Sequence, residues 1–133
     1  MAVIFPDVEV TLVTYLNSAL AEMGSALANN VRVATKKAQP DEVQPAKQIV
    51  VTAAYNGEVS YVTKIASVTL EVYATDYGTA SSLGLLVESL IRGSTGDQIK
   101  RVTVRLGPVR EVEESDYEKR SIDVEIIVKG TDL

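Results

Sequence analysis

Apolar and polar positions alternate along this chain with two different periods. Between positions 62 and 74, Val62, Ala66, Val68, Leu70, Val72 and Ala74 fall on one face, with Lys64 the single misfit. Ser67, Thr69, Glu71 and Tyr73 take the other face, the period of two that marks a sheet buried on one side. After Asp76-Tyr77-Gly78 the period changes: Leu83, Leu86, Val87, Leu90 and Ile91 recur at helical spacing, which predicts a helix over 79–92. Asp76 or Thr79 can accept from the free N–H groups of its first turn, and Gly93 stands where a helix stops. A strand passing directly to an amphipathic helix folds that helix back onto the sheet's apolar face, and this packing supplies the core.

The same patterns place the remaining elements. Phe5-Pro6-Asp7 suits a helix start, and Val8, Leu12, Tyr15, Leu16, Ala19, Leu20, Met23 and Leu27 share one face, which predicts a helix over 7–28 closed by Asn29-Asn30. Val31–Ala34 reads as a short strand, and residues 35–47, with two prolines and no period, as a long exposed loop. Residues 48–55 read as a strand contacted on both faces, because Ile49, Val50, Val51, Ala53 and Ala54 do not alternate. Asn56-Gly57 is the strongest hairpin signal and predicts antiparallel pairing with a strand over 61–74. Two further strands are expected over 98–107, with Val102, Val104 and Leu106 inward, and over 120–129, with Ile122, Val124, Ile126 and Val128 inward. A hairpin of these two centred on Glu114 would set Arg105 opposite Asp123 and Thr103 opposite Glu125. The prediction is one α+β domain spanning 1–133: a twisted, mostly antiparallel sheet of about five strands with two helices on one face.

Composition narrows the chemistry. The chain has 133 residues, enough for a core without disulfides or metal, and it holds no Cys and no His. That removes thiolate metal sites, the usual general base and the commonest metal ligand. Trp is absent and Phe occurs once, which argues against aromatic platforms for single-stranded nucleic acid. A net charge of −5 argues against a protein that grips phosphate backbones. The N-terminus lacks the pattern of a signal peptide, and no apolar run has the length of a membrane span. The hydrophobic fraction of 46% fits either a dense Val- and Ala-rich sheet or an oligomer interface.

Three stretches invite a chemical reading. Glu111, Glu113, Glu114, Asp116 and Glu118 form the densest charge, but the glycine turn and spacing of a calcium loop are missing. A solvated hairpin tip is favoured, with contact to a basic partner surface as the functional alternative. Gly93-Ser94-Thr95-Gly96-Asp97 resembles a phosphate loop only superficially, since it follows a helix whose C-terminal end repels anions; cap and turn is the reading. Lys36-Lys37 is a small basic spot in the long loop. No Ser-x-x-Lys spacing activates a hydroxyl, and no carboxylate stands out in an apolar setting. No cofactor or metal is expected.

The opening FPDVEVTLVTYLNSAL, then VRVATKKA, VTLEVYATDYGTASSLGLLVESLI and the final SIDVEIIVKGTDL resemble the tail terminator proteins of long-tailed bacteriophages, in particular those of actinobacterial siphophages. The resemblance covers almost the whole chain in order and length, through patterns of strands and helices and not through catalytic residues. It implies a non-enzymatic virion protein, made in the host bacterial cytoplasm and placed at the head-proximal end of the tail. There a homo-oligomer, a hexameric ring, would cap the tail tube and meet the head–tail connector, with DNA passing through its lumen without specific binding and no membrane involved. A head-closure, neck or other tail-completion protein is the neighbouring alternative, and a small α+β enzyme or ligand-binding domain using acidic residues is the alternative from another class. The candidate partner contacts are Lys36, Lys37, Asp41 and Glu42 in the long loop and Glu111, Glu113, Glu114 and Asp116 at the acidic tip.

Overall fold

The computed structural model describes residues 2–113 and 115–132. Its elements run β1 (Val3–Ile4), α1 (Val8–Met23), β2 (Val31–Ala34), β3 (Lys47–Ser60), β4 (Thr63–Ala74), α2 (Tyr77–Arg92), β5 (Ile99–Glu111), β6 (Glu118–Lys129) and β7 (Thr131–Asp132). Five strands form one sheet in the order β2-β3-β4-β6-β5, with β2 parallel to β3 and every other pair antiparallel. The architecture is the α+β sheet expected from the periodicity.

β4 is the central strand, and its predicted face is the buried one: Ala66, Val68, Leu70, Val72 and Ala74 are all 2% exposed or less. Paired residues continue this face into Ile49 and Val51 of β3 and into Ile122, Val124 and Ile126 of β6. Both helices cover it, α1 through Leu12, Leu16 and Leu20 and α2 through Leu83, Val87 and Ile91. Burial of this apolar surface is the main force holding the layers together, at about 25 cal/mol per Å². The misfit Lys64 lies on the same face at its far end. Its ammonium stands 4.5 Å from the centroid of Phe5 and 5.6 Å from that of Tyr55, so aromatic faces replace the water it loses.

Several boundaries differ from the expectation. α1 ends at Met23 because Gly24 takes the left-handed conformation (φ 65°), and the following turn closes through Ala28 N–H donating to Ser25 Oγ. Asn30 is also left-handed (φ 55°), but it ends this turn and not the helix. The ammonium of Lys47 caps the same turn, donating to the carbonyls of Ala26 and Leu27 at 2.8 and 2.9 Å. Asn56-Gly57 is no hairpin turn. β3 runs on to Ser60, with a register shift between Tyr55 and Gly57, and the chain reverses at Tyr61-Val62. Ser60 Oγ, 2.7 Å from Thr63 Oγ1 and accepting from Val62 N–H, closes the real turn.

β5 enters the expected register only after an irregularity between Ile99 and Arg101, holds it through Val104 with Thr103 opposite Glu125, and then shifts so that Leu106 stands opposite Asp123. The shift turns Leu106 outward, to 47% exposure, contrary to the predicted inward position. Pro108, which has no N–H for the ladder, lies just beyond, where the Cβ of an alanine at Gly84 of α2 would come within 3.1 Å of it. Arg105 therefore pairs with Glu125 (2.8 Å), while Asp123 accepts from Thr69 Oγ1 (3.1 Å). β1 and β7 are elements that the sequence pattern does not predict. They pair antiparallel, Val3 with Asp132 and Ile4 with Thr131, and tie the two ends of the chain together.

Candidate functional site

The two stretches singled out as contact candidates meet at one end of the sheet. β2 and β3 are parallel neighbours, so the chain between them must cross back over the strand ends. The tip between β5 and β6 emerges at the same end, beyond Glu111 and Glu118. Lys37 reaches from the first to the second, its ammonium 2.6 Å from Glu113 Oε2. The same ammonium lies 4.6 Å from the ring centroid of Tyr73 and 5.7 Å from that of Tyr117. Tyr117 stands edge-on to Tyr73 and donates its hydroxyl to the Pro45 carbonyl. Ala38 is buried beneath this strap, with its N–H donating to Gln48 Oε1 at 3.1 Å.

The electrostatics follow from these contacts. The hydrogen bond from Lys37, then that from Ser115, holds the Glu113 carboxyl below the usual carboxylate range. Burial, helped by the Glu71 carboxylate, pushes the Tyr73 hydroxyl up to about 12. Lys119 sits 2.7 Å from Glu71, and that bond raises its pKa. Glu113 and Glu71 at this end of the sheet are thus matched by lysines of the same chain. Among the described residues no group of three or more acidic side chains could hold a metal ion.

The other candidates are more scattered. Lys36 is exposed, and its carbonyl accepts from Arg32 Nη1 at 2.6 Å. Glu42 turns inward on its own loop, accepting from Gln39 N–H, while Asp41 and Asp116 are exposed. Glu111 lies 3.9 Å from Lys119. Glu114 is outside the described residues. Sequence reasoning missed Tyr73, Tyr117 and Gln48, which hold the strap down. The signal available was an aromatic on the polar face of β4 and another inside the acidic run. Gln48 is completely buried, and its Nε2 has no partner among the described residues. The turn after α2 is a cap, as expected: Gly93 N–H donates to the Leu90 carbonyl, and both the N–H and the hydroxyl of Ser94 donate to that of Ile91.

No family model matches the chain, and no curated protein matches it. Among solved structures, the fold is similar to that of a chain in the virion of a native gene transfer agent particle, with a TM-score of 0.59 at 12% identity, covering 86% of this chain and 92% of that one.

Proposed function

We propose that this chain is a structural subunit of a phage-like virion, and more narrowly a tail terminator: a protein that closes into a hexameric ring, caps the tail tube and offers its other side to the head–tail connector. The observation that carries the reading is the similarity of fold to a virion chain over 86% of this chain and 92% of that one. The sequence resemblance to tail terminators, which also runs nearly end to end, supplies the particular position.

Charge fits a subunit around a DNA passage. Six copies of a chain with net charge −5 make a strongly acidic collar, and phosphate attraction, which would arrest a sliding duplex, is weak on such a surface. The clasped loops at one end of the sheet are the surface proposed to face the tube or the connector, with Asp41 and Asp116 available for contact.

The test is electron microscopy of the purified protein mixed with tail tubes assembled from the tube protein of the same particle. Rings of six at one end of each tube are expected, with tubes no longer extending once capped. Protein that leaves tube ends bare and growing overturns the assignment.

A further inference from the structure

The sheet ends in two open edges, β5 on one side and β2 on the other. Stepping from β2 through its parallel contact with β3 and the three antiparallel contacts beyond shows that β2 and β5 run in opposite directions. Laid side by side in one plane, the β5 edge of one copy and the β2 edge of the next are antiparallel, with unpaired N–H and C=O groups on both. The row Ala34, Val50, Glu71, Ser121, Val109 crosses the whole sheet, so Val109 and Ala34 lie level at its two margins.

The margins also differ in charge. β5 carries Lys100, Arg101, Arg105 and Arg110 against Glu111 alone, in a chain that is acidic overall. Arg105 and Arg110 leave 60% and 62% of their side chains exposed even while paired. On the far side, α1 packs over β2 and β3; Asp7 caps it, Glu9 accepts from Ala53 N–H of β3 at 2.9 Å, Glu22 is exposed near its end, and it has no Lys or Arg. Asp41 and Glu42 follow β2, Glu42 accepting from Gln39 N–H, and the cations there are Arg32, Lys36, the Lys37 bound to Glu113 and the Lys47 bound to the Ala26 and Leu27 carbonyls. Exposed apolar groups stand at both margins: Leu85, Leu106 and Val109 beside β5, and Val10 and Val43 on the α1–β2 side. Leu85 belongs to the flank of α2 that meets β5 and β6, one turn on from Ser81, which bonds Arg120.

We propose that the β5 margin of one copy docks on the α1–β2 margin of the next, two open antiparallel edges that each carry exposed apolar groups, with the arginine-rich β5 meeting Asp41 and the cation-free helix α1. Such a contact is head-to-tail, and successive copies close into a ring when the rotation per step divides a full turn. The inference rests on the ring reading above and names the surfaces that would build the ring.

The chain has no cysteine, so Val109→Cys and Ala34→Cys each introduce a single thiol. Equal amounts of the two variants are mixed, free and on tail tubes, and treated with a short bismaleimide. The mixed Val109→Cys/Ala34→Cys pair should exceed either like pair several-fold. Adding Arg101→Glu to the Val109→Cys chain should cut that yield several-fold without moving its thermal melt. Like pairs as abundant as the mixed pair, or no cross-linked pair under either condition, overturn the interface. Capped tubes without the mixed pair overturn the interface alone and leave the tail assignment standing. The mixed pair without capping supports the interface and counts against the tail assignment.

Discussion

The ammonium of Lys37 touches a carboxylate and two aromatic rings, so one side chain fixes the long loop to the acidic tip. Its partner Glu113 gives a pH signature. Because the folded carboxyl titrates below its ordinary value of about 4.3, the pair's stabilisation is fully present above that value and is lost as pH falls through the folded one. Glu113→Gln should therefore cost less than about 1 kcal/mol at pH 7, since the Lys37 side chain is 36% exposed and water screens the pair. Paired thermal melts should show wild type and variant converging as pH falls below the ordinary carboxylate range and through the folded value; a gap that persists in stronger acid would mean packing, and not charge, holds the loop. None of this could be read in the sequence. Lys37 and Glu113 are 76 positions apart, and only the crossing from β2 to β3 and the length of β5 bring them together.

At the scale of elements, alternation located β4, β5 and β6 and helical spacing both helices, because burial on one face leaves a period that survives in a single sequence, while β2 and β3 were legible only as short apolar runs. Where elements stop was less legible. Gly24 ends α1 by its left-handed backbone, yet an isolated glycine before Ala26 and Leu27 looks like a tolerated interior residue. A Cβ at Gly24 would meet nothing within 4 Å, so Gly24→Ala should cost roughly 1 kcal/mol through backbone conformation alone. Gly96→Ala, equally open but without a left-handed backbone, should fall within about 0.5 kcal/mol of wild type. Chemical denaturation of the two variants checks the contrast; equal effects would show that the cap does not depend on conformation. The Asn56-Gly57 reading failed for a related reason. A bulge and a two-residue turn ask for the same residue types, and the ladder between β3 and β4 decides which is formed. β1 and β7 are two residues each, too short for any period to show.

For the whole molecule, the layers divide the work. The buried face of the sheet and its two helices make the core, the opposite face carries mutually paired charges such as Arg105 with Glu125, and the two margins remain open. The small β1–β7 ribbon adds a consequence for protein engineering. Since Val3 stands directly opposite Asp132, a few linking residues would join the first strand to the last and allow new ends to be cut in the exposed stretch around Val43. Such a circular permutant should give a far-ultraviolet circular dichroism spectrum matching the parent. Its new ends would then emerge beside the Lys37–Glu113 clasp, giving a place to attach a fluorophore that reports whether that clasp stays closed.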